Sequence, residues 1–283
     1  MDDNQYRQVI EANIALHSKM SNDYNTCEPH FRPENIKNVE MRLAAAIRQT
    51  EAKRLLDLGC GTGFIINIAK KYVAEIHGVD VTRAMLDKVD KTGGCIIHLF
   101  EADAGTFPVE AGAYDIVTSY SFLHHLYDIQ PTLKTAYTAL KPGGAFYADL
   151  DPNYYFWKEV NALDRDSIYD PIVKREIEAV TYKDEDIEKH FGVPKDIFNH
   201  AEYGKNITGG FKEEELKQRL YEVGFKKVAF FYHWFIGQGV LINDSQYTRE
   251  ERFQYAELLH EMLQRALPIS RNLFKYVGFI ATK

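Results

Sequence analysis

The stretch Leu56-Asp57-Leu58-Gly59-Cys60-Gly61-Thr62-Gly63 limits what this chain can fold into more than any other. The apolar run Arg54 to Leu58 enters it, and a helical pattern from Phe64 to about Tyr72 leaves it, so the glycines close a strand-to-helix turn. Glycine admits a ligand close to the backbone. The start of the helix offers free N–H groups and a partial positive charge, suited to a carboxylate or phosphate. A second acid, Asp80, ends the next apolar run, Ala74 to Asp80, 17 residues past the last glycine. An acid there can accept hydrogen bonds from both hydroxyls of a ribose. The glycine spacing is Gly-x-Gly-x-Gly, and Asp57 stands two residues before the first glycine, at the mouth of the loop. A carboxylate in that place repels a pyrophosphate and suits an ammonium, which favours a ligand with an amino-acid end over a dinucleotide.

The alternation of strand and helix continues. Thr82 can cap a helix carrying Met85, Leu86 and Val89. Cys95 to Phe100, Tyr114 to Ser119 and Ala145 to Leu150 read as strands, and a helix through Leu133, Ala136, Tyr137 and Leu140 stops at Lys141-Pro142-Gly143-Gly144. Such alternation predicts an α/β fold with a parallel sheet covered on both faces. Upstream, Tyr6, Val9, Ile10, Leu16 and Met20 mark one helix, and Pro33 and Glu34 open a second through Ile36, Val39, Leu43 and Ile47. A polar linker, Ser21 to Thr26, separates them. Beyond Asp151 the alternation ends, and residues 152–209 read as several polar and aromatic helices. Lys212 to Tyr221 reads as a helix closed by Gly224. Lys226 to Tyr232 and Lys275 to Thr282 read as two last strands, with a helix from Thr248 to Leu267 between them.

Composition narrows the partners. With 34 Lys and Arg against 41 Asp and Glu the net charge is −7, so no nucleic acid is expected. Hydrophobic residues make up 45 %, enough for a full core. No window reaches the ~20 continuous apolar residues that span a bilayer, so no membrane partner is expected. The start, Met1-Asp2-Asp3-Asn4-Gln5, is acidic and unlike a secretory signal. Cys27, Cys60 and Cys95 form neither a disulfide framework nor a zinc pattern, which fits a reducing, cytoplasmic setting.

Taken in order, Asp57-Leu58-Gly59-Cys60-Gly61-Thr62-Gly63, Asp80, Glu101-Ala102-Asp103-Ala104, Tyr114-Asp115-Ile116-Val117 with Ser121-Phe122-Leu123-His124-His125-Leu126, and Leu140-Lys141-Pro142-Gly143-Gly144 form a series. In it the sequence resembles the class I S-adenosylmethionine-dependent methyltransferases of small-molecule type. The resemblance is dense over about 50–150 and looser over 211–224 and the last two strands. It implies a Rossmann-like, seven-stranded, mostly parallel sheet sandwiched by helices, with an N-terminal helical cap and helical lid insertions. The expected organisation is a cap at 1–50, a cofactor-binding α/β core at 51–151, a lid at 152–209, and the C-terminal part of the core at 210–283 with a helical insertion near 240–270. The implied cofactor is S-adenosyl-L-methionine, leaving as S-adenosyl-L-homocysteine. Its implied binding residues are Asp57, Gly59, Gly61 and Gly63 in the loop, Asp80 and Val81 at the ribose, Asp103 and Ala104 at the adenine, and Ser119 on the fourth strand. Tyr24 is the N-terminal aromatic expected to close over it.

Methyl transfer from a sulfonium is an in-line displacement with an excellent leaving group, so alignment supplies much of the catalysis. A base helps only where the acceptor gives up a proton. His124, His125, Asp151, His233 and the tyrosines are candidates. His125 follows the fourth strand, at the carboxyl edge where open α/β sheets bind ligands, and is the expected catalytic residue. As a base it should make turnover rise with pH through its own titration. Tyr154-Tyr155-Phe156-Trp157 and His233-Trp234-Phe235 could wall a flat or apolar acceptor. Asp149 and Asp151 have no third ligand at a convincing position, so no metal is expected. The acceptor is read as a small molecule, oxygen slightly ahead of nitrogen. A C-methyltransferase of quinone or lipid type and a methyltransferase of tRNA or protein are the alternatives. The oligomeric state is left open.

Overall fold

In the computed structural model, which describes residues 2–178 and 184–283, β1 (Arg54–Leu58), β2 (Glu75–Asp80), β3 (Ile96–Glu101), β4 (Tyr114–Tyr120), β5 (Leu140–Pro152), β6 (Lys227–Phe235) and β7 (Phe274–Thr282) form one sheet. Their order is β3-β2-β1-β4-β5-β7-β6. β1 to β5 run parallel, and β7 is antiparallel to both β5 and β6. From β1 the chain winds outward through β2 to β3, and from β4 it winds the opposite way to β5. The loops leaving the carboxyl ends of β1 and β4 therefore diverge and open a crevice at the switch in strand order.

Alternating side chains divide the core between two faces. Leu55, Ile76, Ile116 and Tyr147 pack under Leu43, Ile47, Ile65 and Ile66 of helices α3 (Pro33–Thr50) and α4 (Phe64–Ala69), below α1 (Asp3–Met20) and α2 (Tyr24–Cys27) in chain order. After α5 (Arg83–Leu86), helix α6 (Gln130–Ala139) covers the other face. There Leu133 and Ala136 meet Leu56, Val117 and Phe146, together with Leu216 and Leu220 of a later helix. Such strands are buried on both sides, which is why they read as near-continuous apolar runs. Asp115 pins the start of β1 across the sheet. Its Oδ2 accepts the N–H groups of Lys53 (2.8 Å) and Arg54 (2.9 Å), and its Oδ1 accepts from Lys141 Nζ at 2.5 Å.

Residues 152–209 carry α7 (Tyr154–Asn161), α8 (Pro171–Glu178), α9 (Asp184–Phe191) and α10 (Lys195–Ala201), followed by one π turn (Tyr203–Ile207). Residues 179–183 of the expected lid lie outside the described residues. Ala12 and Leu16 of α1 share an apolar cluster with Ile187, Val193, Phe198 and Ala201, so cap and lid are packed together. Helix α11 (Glu213–Val223) ends at Gly224, whose φ of 120° excludes most side chains.

Several boundaries differ from the sequence expectation, each for a physical reason. α4 stops at Ala69, short of Tyr72, because Ala74 N–H must turn back to bond Lys53 C=O at 3.0 Å. β5 starts at Leu140, ahead of the Pro-Gly-Gly stop, because Leu140 already pairs with Tyr114. A register shift between Tyr114 and Ile116 absorbs the intervening residues. β5 also runs on to Pro152, where Asp151 and Pro152 pair with Val277 and Tyr276. The linker at Ser21–Thr26 contains α2, tied down by the bond from Thr62 Oγ1 to Asn25 Oδ1 (2.5 Å). The C-terminal insertion is two helices, α12 (Gln238–Leu241) and α13 (Arg249–Arg265). The second is started by a capping box between Thr248 and Glu251.

Candidate active site

The crevice at the switch point is roofed by side chains of α1 and α2 into a cavity. Its floor is the turn after β1. Gly59 has φ +72°, and a Cβ there would lie 2.1 Å from the Phe122 ring, so packing as well as backbone conformation demands glycine. At Gly61 (φ +51°) the nearest atom to a Cβ is Met85 Cε at 3.6 Å, so this glycine leaves space facing the cavity. Gly61 N–H donates to Asp80 Oδ2 (2.9 Å), and Thr82 N–H donates to Asp80 Oδ1 (2.8 Å). Two backbone donors thus hold the carboxylate in one orientation and leave its remaining lone pairs for a ligand. Burial raises its pKa, and the two N–H groups oppose that rise.

Val81, Met85, Ala102, Asp103, Ala104, Phe122 and Leu126 line the apolar end. Asp103 Oδ1 accepts from Gly105 N–H at 2.9 Å, and the hydroxyl of Tyr6, from α1, donates to Asp103 Oδ2. A second part of the lining is a set of touching rings, His17, Tyr24, His30, Tyr120 and His125. Burial, with Glu28, Glu202 and Asp80 nearby, raises the Tyr24 phenol well above its usual pKa and keeps it protonated.

His125 is buried, and its Nδ1 lies 2.7 Å from the Ala201 carbonyl oxygen in the lid. A carbonyl only accepts, so Nδ1 carries the proton and Nε2 keeps its lone pair. Burial and the neighbouring His124 push its pKa well below 6.5, so the ring is neutral throughout the physiological range. Asn13 Nδ2 on α1 donates to the His125 carbonyl at 2.9 Å, which fastens the cap to this loop. His124 faces away from the cavity. Its Nδ1 is 2.8 Å from Asp151 Oδ1, which also accepts the His124 N–H at 3.0 Å, and burial lowers its pKa to about 4. Glu202 lies 3.8 Å from His125 Nδ1 and from His124 Nε2. Burial alone would raise its pKa, but Lys205 and the two imidazoles bring it to about 2.

Of the residues expected at the site, the cavity brings together Tyr24, Gly59, Gly61, Asp80, Val81, Asp103, Ala104 and His125. Asp57, Gly63 and Ser119 do not line it. Asp57 is beside Thr118 of β4 in register, accepts the Thr118 hydroxyl at 2.7 Å, and is 1 % exposed beneath the turn instead of at its mouth. Burial raises its pKa to about 7. Gly63 caps α4 with φ +88°, against Val89. Ser119 is enclosed within β4. His233 also lies outside the cavity, with Nε2 2.8 Å from Asp149 Oδ1. Tyr6, Asn13, His17, His30 and Tyr120 were not expected there. The first three share one face of α1 with Val9 and Ile10, and the polar members of that face were the available signal.

Tested against S-adenosylmethionine, the cavity supplies what the molecule needs. Asp80 is a carboxylate held by two backbone donors, of the kind that can accept from ribose hydroxyls, the apolar side chains of Val81, Met85 and Leu126 are in the same lining, and Gly61 leaves room for close approach. Comparison with known proteins agrees. Residues 56–148 match the methyltransferase domain family. The ubiquinone biosynthesis O-methyltransferase of Pectobacterium atrosepticum is 25 % identical over 163 residues, 55 % of this chain and 67 % of that protein. The enzyme of the same name from Coxiella burnetii is 26 % identical over 153 residues, 52 % of this chain and 65 % of its own length. The chain thus spans about two thirds of these relatives. The solved S-adenosylmethionine-dependent methyltransferase of Mesorhizobium loti covers 88 % of this chain and 100 % of its own, with a TM-score of 0.52 and 18 % identity, and shows the same fold. Fold, cavity and matched domain define a nucleoside-binding transferase. The chain carries a methyltransferase domain at residues 56–148, and S-adenosylmethionine is the cofactor that domain implies. No helix among the described residues is long and apolar enough to cross a membrane.

Proposed function

We propose that this methyltransferase acts on a small molecule held between the glycine loop and the α1–α2 end of the cavity, with an oxygen acceptor ahead of nitrogen. The observation that carries this reading is the neutral His125, held by the Ala201 carbonyl through Nδ1 and free to accept a proton at Nε2. A hydroxyl acceptor has such a proton to give as its oxygen bonds to carbon. The charge that would then appear on the imidazole meets the Ala201 carbonyl and the Glu202 carboxylate 3.8 Å away, an arrangement that stabilises the protonated ring. The cofactor, when bound, supplies a methyl group activated on a sulfonium. Asp80 orients it through the ribose, Tyr6 and Asp103 close its far end, and Tyr24, His17 and His30 keep water from the reacting end.

The enclosing cap at 1–50 and lid at 152–209 over a cofactor core at 51–151 support an acceptor small enough to be engulfed. The charge of −7 supports a partner other than nucleic acid, and the three free thiols support a reducing, cytoplasmic setting. The names of the relatives, which are O-methyltransferases, point the same way. The test is incubation with methyl-labelled S-adenosylmethionine and separate metabolite, RNA and protein fractions of a cell extract. Label in a metabolite, released as methanol by alkali for a methyl ester or as iodomethane by hot hydriodic acid for a methyl ether, supports the reading. Label confined to RNA or protein overturns it.

A further inference from the structure

We propose a zinc site on the outer sheet, formed by Glu75, His77 and His98 and separate from the cavity. His77 on β2 and His98 on the edge strand β3 are register partners, and Glu75 lies two residues before His77 on the same face. One ligand atom from each of the three lies within 4.8 Å of the others. None of them lines the cavity. The cluster is reachable because residues 102–113, between β3 and β4, form no helix over this end of the sheet, and His98 is exposed.

The side chains around the cluster are arranged as ligands. His77 Nδ1 lies 2.7 Å from the Tyr114 hydroxyl, which fixes the ring with Nε2 toward Glu75, 2.7 Å from its Oε1. Metal-bound histidines are oriented in this way, through the second ring nitrogen. Arg54 forks onto Glu75, with Nε 3.0 Å from Oε2 and Nη2 3.2 Å from Oε1, so it fixes the carboxylate in place while Oε1 keeps a lone pair toward the cluster. The His77 and His98 rings are 5.0 Å apart at 84°, edge to face, so both imidazoles stand at the same place on the sheet. The 2.7 Å between His77 Nε2 and Glu75 Oε1 is bridged by the Nε2–H of a neutral ring without metal, and would be bridged by the ion with it. Two imidazoles and a carboxylate, with a fourth position open to water, suit Zn²⁺. Binding takes the tautomer of His77 with its proton on Nδ1, donating to the Tyr114 oxygen, and the Nε2 lone pair on the ion; it widens the Nε2–Oε1 separation to about 3.3 Å, the ligand spacing of a tetrahedral site. The ion would clip edge strand β3 to β2, a place where sheets need protection.

Calorimetric titration of the full chain with Zn²⁺ at pH 7.5 tests this. We expect one saturable equivalent and a raised Tm on addition of Zn²⁺. In His98→Ala, and separately in Glu75→Gln, affinity should fall more than about tenfold and the rise in Tm should disappear. S-adenosylhomocysteine affinity should be unchanged in both variants. His98 is exposed, with its ring against His77, so its replacement is expected to leave the fold intact, which circular dichroism of the variant checks. Absence of saturable binding in the wild type overturns the proposal. So does undiminished binding in His98→Ala, which would move the ion to the His124, His125 and Glu202 group, where His125 Nδ1 is already committed to Ala201.

Discussion

The two ends of the cavity are built by different means. At the end proposed to take the nucleoside each group hangs from a strand terminus. Gly61 follows β1, Asp80 ends β2 and Asp103 follows β3, and their bonds run between neighbouring loops of one sheet. At the transfer end the groups come from the cap, the post-β4 loop and the lid. His17 and Asn13 stand on α1, Tyr24 on α2, His125 after β4, and Ala201 and Glu202 at the end of α10. The first end is set by register and backbone geometry, and the second by the packing of elements far apart in the chain. Exchange of the acceptor can therefore proceed by changes in cap and lid while the nucleoside end stays as it is.

Damage at the transfer end should be the largest and should leave the other end intact. His125→Gln is expected to lower kcat by about 10²–10⁴-fold with nearly constant cofactor affinity, because only the proton acceptor is lost. Single-turnover rates and calorimetry with S-adenosylhomocysteine check this. If turnover at saturation survives and affinity falls instead, His125 belongs to the nucleoside end and transfer rests on alignment alone.

Damage at the nucleoside end should show the reverse pattern. Asp80→Ala should weaken S-adenosylmethionine binding by roughly 10–150-fold, the loss of charge-assisted hydrogen bonds to a fixed carboxylate. The rate at saturation should change little. Because Asp80 also holds Gly61 and Thr82, Asp80→Asn serves as the milder companion. Equal affinity in both variants would remove Asp80 from the ribose.

A smaller effect tests the point where the two ends meet. Tyr6→Phe removes the hydroxyl that joins α1 to Asp103. Cofactor affinity should fall about 3–10-fold, the worth of one partly exposed bond to a carboxylate, with faster dissociation. An unchanged dissociation rate would mean that α1 does not retain the ligand.

The same contrast explains what could be read from the sequence. Gly61 and Asp80 were legible because a strand, a turn and an acid at a fixed distance leave few alternatives. Asp57 was misplaced at the mouth of the loop because the sequence does not reveal that Thr118, 61 residues later, sits beside it and takes its carboxylate under the turn. Tyr6 and Asn13 were missed because their partners, Asp103 and His125, are about a hundred residues away on other elements. The stop at Lys141-Pro142-Gly143-Gly144 was legible as the end of a helix, but the pairing of Leu140 with Tyr114 that starts β5 early is a tertiary fact.

The smallest expected effect separates burial from ordinary histidine chemistry. A solvated imidazole would make kcat rise across pH 6–7, as the sequence suggests for His125. Burial beside His124 lowers the pKa of His125 well below 6.5. Its Nε2 is then already bare at pH 6, and kcat should change by less than about twofold from His125 titration between pH 6 and 9. Stability carries the complementary signature. His124, brought to about 4 in the folded chain, binds fewer protons there than in the unfolded chain between pH 4 and 6.5. The stabilisation tied to its neutral form is fully present above about 6.5 and is lost as pH falls toward 4, and the same sign holds for His125. Denaturant unfolding should show stability declining on the acid side through this window, less steeply in His124→Gln. A sigmoidal rise of wild-type kcat near pH 6.5 that His125→Gln abolishes would show the ring to be solvated during turnover. The transfer end would then open to water in each cycle, and the contrast between a fixed nucleoside end and an enclosed transfer end would have to be redrawn as one between fixed and mobile walls.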